Sequence, residues 1–224
     1  MAKVIDYLLE DAAALFQTIE ETRQLLAGKG FTADKEADLR SAYEEAKQKT
    51  AAQIKAAKLV QDKTGEQNRT FTLLDEYIVK VQNAAKSAYG NEKSILKKFR
   101  VGEKKANTCK ALATWGEYFT GLIMDYEEVL LKNGLVQTDI AEFENRYQTF
   151  LGADAAQESA KKLKVAATMA RDKASEKLKD RLNRFRSFIK SAFSSDKEIR
   201  VKFAPIPKGR GAGKNDNPPE PPQQ

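Results

Sequence analysis

Apolar residues recur at three- and four-residue spacing along most of the chain. Val4, Ile5, Leu8, Ala12, Leu15, Phe16, Ile19 and Leu26 trace one face of an amphipathic helix. Gly28 and Gly30 close it, as glycine does past a helix C-terminus. Thr32, with Lys35 and Glu36, opens a second helix carrying Leu39, Tyr43, Ile54 and Leu59, and a break is expected around Gly65. A third stripe holds Phe71, Leu74, Ile78, Val81, Ala85 and Tyr89 and stops at Gly90. The second half repeats this order. Leu112, Trp115, Phe119, Leu122, Tyr126 and Val129 form a stripe ended by Asn133 and Gly134. Phe143, Tyr147 and Phe150 follow, with a break expected at Gly152. A long last helix carries Ala174, Leu178, Leu182, Phe185, Phe188, Ile189 and Phe193. Only Ile199, Val201 and Phe203, alternating with Arg200 and Lys202, suit a short extended segment. The expected fold is all-α, an up-and-down bundle of roughly six helices.

The repetition is also literal. An ungapped offset of 104 residues places Gly30 on Gly134, Tyr43 on Tyr147, and Ala51-Ala52-Gln53 on Ala155-Ala156-Gln157. Lys86-Ser87-Ala88 falls on Lys190-Ser191-Ala192, and Phe99 falls on Phe203. Between Gly30 and Glu103, 18 of 74 positions match their partners. Ala- and Lys-rich helices match by chance, but the coincidence of turn glycines and unit-ending phenylalanines does not follow from composition. The pattern predicts an internal duplication of a roughly three-helix unit. Residues 1–103 form the first unit and 104–207 the second, with one shared core as an alternative. All 6 prolines lie between Pro205 and Pro222, so nothing upstream interrupts long helices. From Lys208 onward the chain is rich in Pro and Gly and has no large apolar residue, which predicts a disordered tail over 208–224.

Composition narrows the chemistry. The chain of 224 residues has no histidine and 1 cysteine. The commonest general base and metal ligand are therefore missing, and no intramolecular disulfide can form. No apolar run approaches the length of a membrane span and no secretory leader is evident, so a cytoplasmic protein is expected. The net charge of +7 is the remainder of four blocks. Residues 1–45 and 111–160 are acidic, whereas 46–110 and 161–224 are basic. Two physical readings exist. Acidic helices can pack beside basic ones inside the bundle, or opposite surfaces can drive head-to-tail association. The internal arrangement is the more ordinary.

Several constellations can carry function. Lys173, Lys177, Arg181 and Arg184, with Lys190 nearby, make a basic helical stripe that can follow a polyanion. Asp172, Glu176 and Asp180 interrupt it and favour a solvated, locally paired face. The phenylalanines beside it fit the core better than base stacking. Asp125, Glu127 and Glu128 sit too close in sequence to face one interior, and no metal or cofactor is expected. Cys109, between Lys105 and Lys110, has cations that would activate a thiol but no histidine base, and it continues an apolar stripe. Gly209 to Lys214 lacks the spacing of a phosphate loop, and the prolines after it fit at most a short polyproline ligand. The sequence thus points to a non-catalytic helical scaffold or protein-interaction protein, self-associating or bound to a protein partner. Nucleic-acid or polyanion binding through the basic C-terminal helix and tail is the alternative. A small-molecule substrate and an enzymatic role are not expected.

Overall fold

A computed structural model describes residues 2–206, with side chains from Ile5 onward. The tail over 208–224 and the side chain of Val4 lie outside the described residues. Eight α-helices account for nearly all of the rest: α1 (Ala2–Glu21), α2 (Arg23–Gly28), α3 (Ala33–Tyr89), α4 (Lys93–Lys98), α5 (Cys109–Asp125), α6 (Glu127–Lys132), α7 (Gln137–Ala192) and α8 (Lys197–Lys202). There is no strand among the described residues. The all-α expectation therefore holds.

The bounds of these helices recur at the 104-residue offset. α2 maps on α6 and α4 on α8 residue for residue, and α3 maps on α7 to within one residue. The turns recur as well. Gly30 adopts φ +86° and Gly134 φ +109°, where only glycine is unstrained. Just beyond them the Phe31 N–H donates to Leu26 O at 3.0 Å and the Leu135 N–H to Leu130 O at 3.1 Å. Both turns thereby close a Schellman-type helix end.

Three local expectations are corrected. α3 and α7 run straight through Gly65 and Gly152. A lone glycine costs a helix only about 1 kcal/mol, and no proline follows Gly65 or Gly152 to end the helix. The alternating Ile199–Phe203 segment is helical because the Asp196 carboxylate caps it, accepting from the Ile199 N–H at 3.0 Å. The first stripe of each half is not one helix. It is interrupted at Thr22 and at the equivalent Tyr126, which makes good the two helices lost by fusion at Gly65 and Gly152, and the short α4 and α8 bring the count to eight.

The chain divides into two compact units that each draw on both halves of the sequence. The first comprises residues 1–51 and 169–224, the second residues 52–168. The helical repeats, read as 1–103 and 104–207, each supply segments to both. In the first unit, Leu15, Ile19 and Leu26 pack with Leu39, Ala42 and Ala46 of α3 and with Leu178, Phe185 and Ile189 of α7. In the second, Phe119, Ile123 and Leu130 pack with Phe143 and Phe150 of α7 and with Ile78, Val81 and Ala85 of α3. At several equivalent positions α7 carries the bulkier side chain: Phe143 against Leu39, Phe150 against Ala46, Phe185 against Val81 and Ile189 against Ala85. Each fully buried large side chain contributes about 1.5–3 kcal/mol.

Candidate functional site

The basic stripe lies on the C-terminal part of α7, within the first unit, on the face turned toward the acidic start of α3. Lys177 Nζ donates to Glu45 at 2.7 Å. Arg181 Nε approaches Asp38 at 2.8 Å, but off the hydrogen-bonding direction, so that buried N–H has charge compensation and no acceptor. Arg184 turns back along its own helix to Asp180 at 3.0 Å. Lys173 and Lys190 make no ion pair among the described residues. Glu45 is held below the usual carboxylate range, first by the hydrogen bond from Lys177 and also by its charge, against a weaker opposing effect of burial. Three of the five predicted basic residues are therefore engaged with carboxylates, two of them across helices. Such exposed pairs fix helix register more than they stabilise, at about 0–1 kcal/mol each.

The strongest polar node was not expected from the sequence. Asp11 of α1 is 3% exposed and accepts from Arg186 of α7 through both oxygens, at 2.7 and 2.8 Å. The Ile206 N–H donates to the same carboxylate at 3.0 Å, and Tyr7 donates to the Ile206 carbonyl. Arg186 Nε also donates to Phe203 O at 3.1 Å. The residue 104 positions earlier, Gln82, does the same in the second unit, donating to Phe99 O at 3.0 Å and Arg100 O at 3.1 Å. Each unit thus ties a short helix, α8 in the first and α4 in the second, to a long one through a side chain at the same repeat position. Where the first unit pairs Asp11 with this residue, the second has Trp115, stacked beneath the Arg100 guanidinium at 5.0 Å.

The remaining candidates take structural places. Phe99, Phe193 and Phe203 are buried, so none is presented for base stacking, and Phe185 reaches the surface only by its edge, in the wall of a small cavity. Cys109 begins α5 and is half-buried. Its thiol is pushed up by desolvation, then by the charge and hydrogen bond of Asp154, which opposes activation by nearby lysines. Glu128 pairs with Lys132 at 2.5 Å and Glu127 accepts from Gln137 at 3.0 Å. No cluster of metal-ligating side chains occurs among the described residues. Gly209–Lys214 lies outside them. No helix among the described residues is long and apolar enough to cross a membrane.

One further feature was missed. Ile54 (62% exposed), Leu59, Leu163 (55%) and Val165 (60%) stand in solvent in the second unit. They lie on stretches, 52–66 of α3 and 161–168 of α7, in which no residue is buried. Gln67 donates to Asp154 and Gln157 to Thr64, so α3 and α7 run antiparallel here, with Leu59 and Leu163 nearly level beyond those bonds. No protein-family model matches the chain, and comparison with curated proteins and with solved structures gives no match.

Proposed function

We propose that the chain is a non-catalytic helical interaction protein whose contact surface is the exposed apolar stretch of α3 and α7 in the second unit. The exposed Ile54, Leu59, Leu163 and Val165 carry this reading. A helix length with no buried position that still carries large aliphatic side chains, here on more than one side of each helix, is suited to being covered by another protein. Scattered single apolar residues need no such explanation. These four sit on two antiparallel neighbours, with two of them level. A second copy of the chain is the simplest partner, since the repeat places equivalent leucines, Leu59 and Leu163, on both helices.

The charge pattern supports contact through apolar groups rather than through opposite surfaces. Acidic and basic blocks meet inside the units, as in Asp11–Arg186, Asp38–Arg181 and Glu45–Lys177 in the first and Lys80–Asp139 in the second. Sedimentation velocity on the full chain, at low and moderate salt, tests the proposal. Concentration-dependent association that survives added salt is expected. A monomer at every concentration, with no protein partner captured, overturns it. A polyanion reading retains only Lys173, Lys190 and the basic tail. Failure to shift mixed-sequence DNA or RNA at about 50 mM salt disposes of it.

A further inference from the structure

The first unit holds a cavity of about 310 Å³ where the turn after α2 meets α3 and α7. Its floor is aromatic. Phe31, Phe185 and Phe188 contact one another, with ring centroids 5.0 to 6.5 Å apart. Its rim is cationic, formed by Lys35, Arg181 and Arg184. Lys35 Nζ lies 5.5 Å above the Phe188 ring and spends one donor on Gly30 O at 3.0 Å, leaving two of its three donors. Against these three cations stand Asp38, beside Arg181, and Asp180, beside Arg184. One positive charge is left over.

The same place in the second unit is built differently. Lys35 is replaced by Asp139, Arg184 by Lys80 and Arg181 by Tyr77, while Phe185 and Phe188 become Val81 and Ala84. There Lys80 donates to Asp139 at 2.5 Å, and Asp139 also caps α7 by accepting from the Val136 N–H at 2.9 Å. The second unit therefore supplies its own carboxylate to the cation at this position. The first puts a lysine there instead and widens the floor with phenylalanines.

We infer that this cavity binds an aromatic carboxylate, its ring on the Phe31–Phe185–Phe188 floor and its carboxylate between Lys35 and the two arginines. The ligand supplies the acid that the repeat lacks at Lys35. The volume suits a compact molecule of this class, and the rim donors are those that bind carboxylates with charge-assisted hydrogen bonds. The chain's own tail is a poor occupant because residues 208–224 carry three basic and two acidic residues.

The test is an NMR titration of the full-length protein with 3-phenylpropionate, with 3-phenylpropionamide as the neutral control, following the aromatic signals. Saturable shifts confined to Phe31, Phe185 and Phe188 are expected with the acid, and at least about tenfold weaker binding with the amide. Two variants at exposed positions should keep the fold. Lys35→Asp, which installs the second unit's carboxylate, and Arg184→Gln should each weaken binding by about tenfold or more with no fall in helicity. Absence of saturable shifts with the wild type, equal binding of acid and amide, or unchanged binding by Lys35→Asp overturns the inference. Adding N-acetyl-Gly-Gly-Phe distinguishes the sources of this chemistry. Tighter binding than 3-phenylpropionate assigns the site to a polypeptide C-terminus, and weaker binding to a free small acid.

Discussion

Replacing Asp11 with alanine removes the acceptor at the centre of the first unit's polar node. The carboxylate is 3% exposed, and its partner Arg186 has a side chain 14% exposed. Breaking a buried pair from one side leaves the other charge uncompensated and costs about 3–5 kcal/mol. Arg186 keeps the Phe203 carbonyl as an acceptor, which lowers the loss, while the Ile206 N–H loses its partner, which adds about 1–3 kcal/mol if it stays dry. A net loss of at least about 3 kcal/mol is expected, a large fraction of a typical stability of about 5–15 kcal/mol. Urea unfolding followed by far-ultraviolet circular dichroism measures it. Trp115, the only tryptophan, gives a separate fluorescence report on the second unit. Arg186→Gln combined with Asp11→Leu should cost less than Asp11→Ala alone, because glutamine at this position holds the Phe carbonyl in the second unit and no charge is then left unpaired. A loss below about 1 kcal/mol, as for an exposed pair, would refute the reasoning.

Packing and titration give further expectations. Gly116→Ala would place a Cβ 2.4 Å from the Tyr147 ring and should destabilise by about 1–3 kcal/mol, whereas Gly121→Ala, with open space around it in the same helix, should stabilise by up to about 1 kcal/mol in thermal unfolding. Lys177→Ala should change stability by less than about 1 kcal/mol, since that side chain and Glu45 are both well exposed. Asp139 is held below its ordinary value of 3.8, first by the hydrogen bond from Lys80. A depressed folded-state value stabilises above the unfolded value and loses that contribution as pH falls through it. Asp139→Asn should therefore flatten the fall in stability on acidification below about pH 4, and an unchanged slope would contradict the pairing.

Much of the architecture is legible in the residues. Periodicity and proline placement specify helices, and the turn glycines Gly30 and Gly134 mark where the long ones begin. The 104-residue offset predicts helix bounds that recur almost residue for residue. Gly65 and Gly152 mislead because glycine penalises a helix without ending it when neither a cap nor a proline follows. The alternation at Ile199–Phe203 misleads because five residues are too few to separate the two periods, and Asp196 decides the matter by capping. The assignment of segments to each compact unit is hidden for a different reason. Which repeat segment packs with which depends on the chain passing along α3 and returning along α7, and similar repeats make either partner chemically acceptable. The basic stripe was visible at Lys177 and Arg181, but its neutralisation by Glu45 and Asp38 needed three dimensions. Asp11 and Arg186, 175 positions apart, gave no local signal at all. The available clue was an acid, Asp11, inside an apolar stripe. At Lys35 the clue was a change of sign between equivalent positions, Lys35 against Asp139.

The proposed interaction surface is tested most directly by light scattering on the wild type and on the Leu59→Glu, Leu163→Glu double variant across one concentration series. Both side chains are exposed, so the variant should keep its helicity and its unfolding midpoint. The account predicts that the wild type associates with rising concentration and that the variant stays monomeric. Identical mass curves for the two proteins, with the variant folded, would contradict it.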